Sequence, residues 1–90
     1  MIILSYDIAD NKLRSRFNKY ICKFGYRLQY SVYEIENSKH ILNNIMIELE
    51  NTFAKQFTQS DSVMIFNMSE TCEIKRFGYA KNDESDIIIV

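Results

Sequence analysis

Two short stretches of this chain repeat one pattern, and that repeat limits the available folds more than any other feature. Ser5–Lys12 reads SYDIADNK and Val32–Lys39 reads VYEIENSK. Each carries a tyrosine, an acid and an isoleucine, then two positions of which at least one is polar, then a helix start with a lysine near it. In both, an apolar strand ends at an acid and gives way to a helix. The chain is therefore expected to contain two β–α units of one design.

The residues around the repeat supply the other elements. Ile2, Ile3, Leu4, Tyr6 and Ile8 form an apolar run typical of a strand buried on both faces, usually a central one. Asp10 is placed to cap a helix with Leu13, Phe17, Tyr20, Ile21 and Phe24 as its apolar stripe, and Gly25 is the expected C′ residue. Tyr26–Glu36 is rich in aromatic and β-branched residues. Its apolar phase slips from Tyr26, Leu28, Tyr30 and Val32 to Tyr33 and Ile35, which predicts a bend or two strands turning near Gln29–Ser31. Ser38 is the predicted cap of a second helix whose stripe is Ile41, Leu42, Ile45, Met46, Leu49 and Phe53, ending near Gln56. Ser62–Met68 reads as a buried strand and Cys72–Phe77 as a weaker one.

This order predicts an α+β fold, the ferredoxin-like βαββαβ sandwich, with the echoed strands parallel and adjacent at the centre and both helices on one sheet face. The chain is expected to be one domain, 1–90, in which 81–90 is a charged connector and a C-terminal edge strand. That strand, Ile87–Val90, is bare and apolar, and a sheet edge would bury it.

Alternation places Leu4, Tyr6 and Ile8 on one face of the first strand and Ile3, Ser5 and Asp7 on the other. Asp7 thus leaves the sheet near its carboxyl edge, on the face without helices, and Glu34 is expected there too. A buried, unpaired carboxylate costs several kcal/mol, so Asp7 is expected to meet water, a metal or a donor; a hydrogen bond to a neighbouring loop would satisfy it equally. A homodimer packing two bare faces together would bring Asp7 towards its own copy. Two such carboxylates repel unless a divalent cation lies between them.

The net charge of −1 argues against a uniformly basic nucleic-acid binder, but the distribution is uneven. No acid occurs between Asn11 and Tyr33, while Lys12, Arg14, Arg16, Lys19, Lys23 and Arg27 supply six of the 11 basic residues. Such a field suits a face that meets phosphates, or a helix face that is simply solvated. Cys22 and Cys72 are too few for a disulfide scaffold, and His40 is the only histidine, so no zinc-type cluster can be assembled. With no basic leader and no membrane-length apolar run, the chain is expected to be cytoplasmic and not to engage a membrane.

Taken in order, YDI at the first strand end, Arg14-x-Arg16 in the first helix, Gly25, and Gln29-x-Ser31-Val32-Tyr33-Glu34 resemble the small CRISPR-associated endoribonuclease family, the dimeric subunit of the spacer-acquisition complex. The resemblance implies a ferredoxin-like homodimer whose C-terminal strand, here Ile87–Val90, extends the partner's sheet. It implies Mg²⁺-dependent endonuclease activity on RNA, DNA or both, with Asp7 as catalytic residue and as the metal ligand shared across the dimer. It also implies a subunit that bridges dimers of the CRISPR integrase and holds duplex protospacer DNA. Arg14 and Arg16 match the family's helical basic positions. Lys12 and Lys19 flank them, and Lys75 and Arg76 are added as adjacent basic residues on a predicted strand. Tyr33 stands where phenylalanine is more usual. Two rival functions remain: a DNA-binding scaffold without catalysis, and a toxin-type ribonuclease outside any adaptation complex.

Overall fold

The computed structural model describes residues 1–68 and 73–78. Strand β1 (Ile2–Asp7) leads into helix α1 (Asn11–Ile21), followed by β2 (Gly25–Gln29), β3 (Val32–Ile35), helix α2 (Lys39–Glu48), β4 (Ser62–Asn67) and β5 (Glu73–Gly78). The end of α2 widens into a π-helical turn, Leu49–Phe53, and tightens into a 3-10 turn, Ala54–Gln56. The strands form one antiparallel sheet in the order β2-β3-β1-β4-β5. Two helices and this sheet make the α+β, ferredoxin-like arrangement. The connector and tail expected at 81–90 lie outside the described residues, as does Cys72.

One expectation about the sheet is corrected. The echoed strands β1 and β3 are neighbours, but they run antiparallel, with Ile2 opposite Ile35 and Ser5 opposite Val32. In a split βαβ unit the parallel mate of β1 is β2, and β3 is inserted between them in the opposite sense. The repeat arises because both strands feed a helix. Reversed direction then places the start of α1 and the start of α2 at opposite ends of the sheet.

Both helix starts are capped as the sequence predicts. The Asp10 carboxylate accepts from Leu13 N at 2.8 Å and the Ser38 hydroxyl accepts from Ile41 N at 3.3 Å. Each cap is worth about 1 kcal/mol. Gly25 is not the C′ residue of α1, which ends at Ile21 with Cys22 as its cap; it is the first residue of β2. A Cβ there would lie 2.1 Å from the Glu34 carbonyl oxygen, so close strand approach requires this glycine. The hairpin turns at Tyr30–Ser31, where Ser31 has φ of 67°, and the register shifts between Arg27 and Gln29.

The core lies between the helices and one sheet face. Leu4, Tyr33, Ile35, Val63 and Ile65 from the sheet meet Leu13, Phe17, Ile21, Ile45 and Leu49 from the helices, all buried. A connected series of aromatic rings runs from Tyr33 through Tyr6, Phe17, Phe53 and Tyr20 to Phe24. The centroids are 5.0–6.0 Å apart, and each such pair adds about 0.5–1.5 kcal/mol to its area burial. On the opposite face Ile3, Met64, Phe66 and Ile74 stay only partly covered.

Candidate metal and nucleic-acid site

The carboxyl end of β1 gathers the chemistry. Tyr6 points towards the helices, where Asn18 Nδ2 donates to its hydroxyl at 3.2 Å and also to the Tyr33 hydroxyl. Burial, then the neighbouring Tyr6 hydroxyl, push the Tyr33 phenol up to about 12, against a smaller downward pull from Asn18. Asp7, one residue on, points to the helix-free face and is exposed, opposite Ser62 of β4. Exposure lets Asp7 meet water, one of the three partners expected for it. Its carboxylate is hydrated at no cost and available to a ligand.

The residue that obeys the buried-carboxylate argument is Asp61, which the sequence reading missed. It is 0 % exposed, and its Oδ1 accepts from Ala9 N at 2.9 Å while Oδ2 accepts from Thr58 N at 2.8 Å. Desolvation would raise its pKa, but the hydrogen bonds from Ala9 and Thr58 together outweigh it and hold the carboxyl below the usual 3.8. A polar residue just before a predicted buried strand, after the turn-forming Thr58–Ser60, was the available signal.

The basic positions separate into different surfaces. Arg14 turns back on the loop after Asp7: Nη1 donates to Ile8 O at 2.9 Å and Ala9 O at 3.2 Å, and Nη2 to Asn11 Oδ1. Lys12 and Arg16 line an outward groove of about 640 Å³ with Asn11 and Ser15, where Arg16 also donates to Gln56 Oε1 at 2.7 Å. Lys19 borders a second cleft, about 310 Å³, between α1 and the hairpin, with Tyr6, Arg14, Asn18, Arg27 and Tyr30. Among the described residues no acid lines either cavity.

Lys75 and Arg76 do not act together. Lys75 pairs with Ile65 on the helix side and borders a cavity with Met46, Ile47 and Glu50. Arg76 pairs with Met64, which faces Ser5, so it shares the helix-free face with Asp7. Glu34 also lies on that face, yet opposite Ile3, four positions along β1 from Asp7 and roughly 13 Å away at strand rise. It accepts from the Tyr26 hydroxyl at 2.9 Å, which raises the Tyr26 phenol above its usual 10.0. His40, at the start of α2, belongs to the far end of the sheet and contacts Asn44 at 3.4 Å.

Among the described residues no three His, Cys, Asp or Glu side chains form a metal-binding group. Among the described residues, Asp7 by itself would give a divalent cation one carboxylate here. That fits Mg²⁺, which is bound through one or two carboxylates plus waters and phosphates, provided a second copy supplies the other carboxylate.

The chain is similar in sequence to known proteins along most of its length. A protein from Methanospirillum hungatei JF-1 named CRISPR-associated endoribonuclease Cas2 2 is 29% identical over 91 aligned positions, covering 98% of this chain and 97% of that protein. A protein from Rhodospirillum rubrum named CRISPR-associated endoribonuclease Cas2 4 is 31% identical over 74 residues, covering 82% of this chain and 57% of that protein. The family model described as CRISPR associated protein Cas2 matches residues 1–76, which span every described element from β1 into β5, and the chain belongs to that family.

Proposed function

We propose that this chain is a nuclease of the CRISPR system that works as a homodimer, with two Asp7 carboxylates holding one Mg²⁺ across the twofold axis. The observation that carries the reading is the position of Asp7: exposed, at a strand end, on the sheet face that neither α1 nor α2 covers. The half-covered Ile3, Met64, Phe66 and Ile74 on that face favour burial against a second copy. The names of the relatives supply the reaction class, phosphodiester cleavage in RNA, and DNA is the alternative substrate.

In this reading the two Asp7 carboxylates would hold Mg²⁺, which would supply Lewis-acid charge beside the scissile phosphate and make nearby water more acidic. The chain's own residues hold the geometry. Antiparallel pairing with β4 fixes the end of β1, the Asp61 and Arg14 contacts fix the loop behind Asp7, and the pair of carboxylates sets where a phosphate can approach. No histidine lies near enough to act as base, so the proton of the attacking water passes to solvent or substrate.

The same dimer is proposed to bind duplex DNA through Lys12, Arg14, Arg16 and Lys19 and to bridge integrase dimers in the cytoplasm. The groove bordered by Lys12 and Arg16, whose other described lining residues are the uncharged Asn11 and Ser15, favours this second role, because phosphate contacts need exposed cations and no base readout.

Purified wild type and Asp7→Ala, both confirmed as dimers by size, should be compared on labelled RNA and duplex DNA with Mg²⁺ and with chelator. Metal-dependent cleavage lost only in the variant is the expected result. Equal cleavage by both would refute catalysis by Asp7, and cleavage by neither would leave the scaffold as the function. Under the scaffold reading, charge reversal at Arg14 and Arg16 abolishes duplex binding, reversal at Arg16 alone weakens it without touching the Ile8–Ala9 loop, and Asp7→Ala leaves it intact.

A further inference from the structure

Asp61 is the only buried charged or polar side chain among the described residues, and in the reading above it only braces the loop behind Asp7, touching neither cation nor substrate. Its two oxygens are directed at two different segments. One accepts from Thr58 N and closes the turn that delivers the chain into β4, helped by Asp61 N donating to Thr58 O at 3.0 Å. The other reaches 52 positions back in sequence to Ala9 N, two residues beyond Asp7.

The stretch between Asp7 and Asp10 is held from both sides. Asp61 takes the N–H of Ala9, while Arg14 donates to the carbonyls of Ile8 and Ala9. Ile8 is itself buried. Next to Asp61, Ser62 is the residue directly opposite Asp7 in the sheet. Behind it, Gly78 at φ 92° brings β5 so close that a Cβ would stand 2.5 Å from the Asp61 carbonyl oxygen. A short polar tie therefore joins the entry of β4 to the exit of β1.

We infer that Asp61 is a positioning residue for Asp7, fixing the strand exit so that the Asp7 carboxylate takes one direction on the helix-free face. The inference deepens the reading of Asp7 as a cation ligand and rests on it only in its metal consequence. Partners bonded directly to a metal ligand are worth about 10–100-fold in affinity, and a tie to the Ala9 amide, two residues from Asp7, is expected at the lower end of that range. An exposed strand-end carboxylate otherwise samples several rotamers, and two copies must converge on one ion.

Asp61→Asn is the discriminating change. It keeps volume, but its amide nitrogen turns a donor towards Ala9 N or Thr58 N, so one of the two contacts becomes repulsive. The full-length chain, isotope-labelled and free of metal, is compared by NMR with wild type. Loss of the Ala9 or Thr58 hydrogen-bond shift, with movement of the Asp7 carboxyl carbon and Ile8 amide while Leu4, Phe17 and Ile65 stay in place, is expected. Asp7 and Ile8 signals unchanged while the Ala9 or Thr58 signal has moved would overturn the inference.

Titration with Mg²⁺ alone should then show the half-saturating concentration at Asp7 raised about tenfold in the variant. Equal half-saturation in both would also overturn it. Wild-type Asp7 signals that ignore Mg²⁺ would instead refute the cation reading, and the metal-free comparison still decides the positioning role. Should Asp61→Asn not fold, hydrogen exchange in wild type decides: an Ala9 amide protected like a β1 amide supports the tie, and one exchanging like open loop refutes it.

Discussion

Replacing Gly25 by alanine should destabilise the protein through a backbone collision, and the size of the effect follows from the geometry. A Cβ at Gly25 stands 2.1 Å from the Glu34 carbonyl oxygen and 3.0 Å from Glu34 C and Ile35 Cα. All three are backbone atoms, so no side-chain rotation relieves the clash, and β2 must move away from β3 by about 1 Å. Overpacking of this kind costs about 1–3 kcal/mol. Losing the Gly25–Ile35 pair at the end of the ladder adds about 1 kcal/mol. Stiffening of the unfolded chain works the other way, by only about 0.4–1 kcal/mol, so the clash wins. The net loss of about 2–3 kcal/mol compares with a total of about 5–13 kcal/mol for a chain of this length. At about 4–8 °C per kcal/mol it lowers Tm by roughly 10–20 °C. Urea unfolding followed by circular dichroism measures it. Gly25→Asn separates the two roles proposed for this glycine. As a helix C′ residue, asparagine would be tolerated, because it enters the left-handed region readily. As a close-approach strand residue it should be as damaging as alanine. A Gly25→Asn protein as stable as wild type would refute the strand argument.

Other outcomes follow from the same contacts. Because the Asp61 carboxyl is held below 3.8 in the folded chain, the stability it contributes is complete above that value and is lost as pH falls through the folded pKa; acid titration of Asp61→Asn should lack this loss. Tyr33 behaves in the opposite sense: its phenol, raised to about 12, keeps its contribution below pH 10 and loses it between about 10 and 12, a slope of at most about 1.4 kcal/mol per pH unit that Tyr33→Phe should remove from alkaline unfolding curves. Phe17→Ala, at the centre of the aromatic series, should cost about 3–5 kcal/mol in urea unfolding. Phe66→Glu, on the helix-free face, should leave the monomer folded and shift sedimentation from dimer to monomer; an unchanged dimer would show that the sheet face is not the interface.

Local signals in the sequence were legible where a side chain acts on its own neighbourhood. The Asp10 and Ser38 caps, the two helical stripes and the phase slip at Gln29–Ser31 each express a preference that few tertiary contacts can reverse. Gly25 was misread because a glycine after a helix suits a C′ position and a tight strand crossing equally well, and only the position of the Glu34 carbonyl distinguishes them. Strand direction was misread for a related reason. The repeated Tyr-acid-Ile pattern reports that a strand precedes a helix, and this holds whichever way the strand runs. The burial of Asp61 was not legible because burial depends on which loops close over a strand end. That is decided by a contact 52 residues long in sequence, from Asp61 to Ala9.

The antiparallel relation of β1 and β3 has a consequence for how the basic residues can be tested. It collects the exit of β1, the start of α1, the β2–β3 turn, the end of α2 and the entry of β4 at one end of the sheet, and it sends Glu34 and His40 towards the other. A polyanion approaching Asp7 therefore meets the first half of α1. Arg14 and Arg16 are not equivalent there. Arg14 spends its guanidinium on the carbonyls of Ile8 and Ala9, so reversing its charge disturbs the loop behind Asp7 as well as the surface field. Among the described residues Arg16 donates to the exposed Gln56 side chain and not to the Ile8–Ala9 loop, so its loss changes the field while leaving that loop intact. Arg16 is thus the residue that reports on phosphate contact alone, and an effect of Arg14 substitution on cleavage carries no information about nucleic-acid binding until the Asp61–Ala9–Arg14 clamp has been shown to survive it.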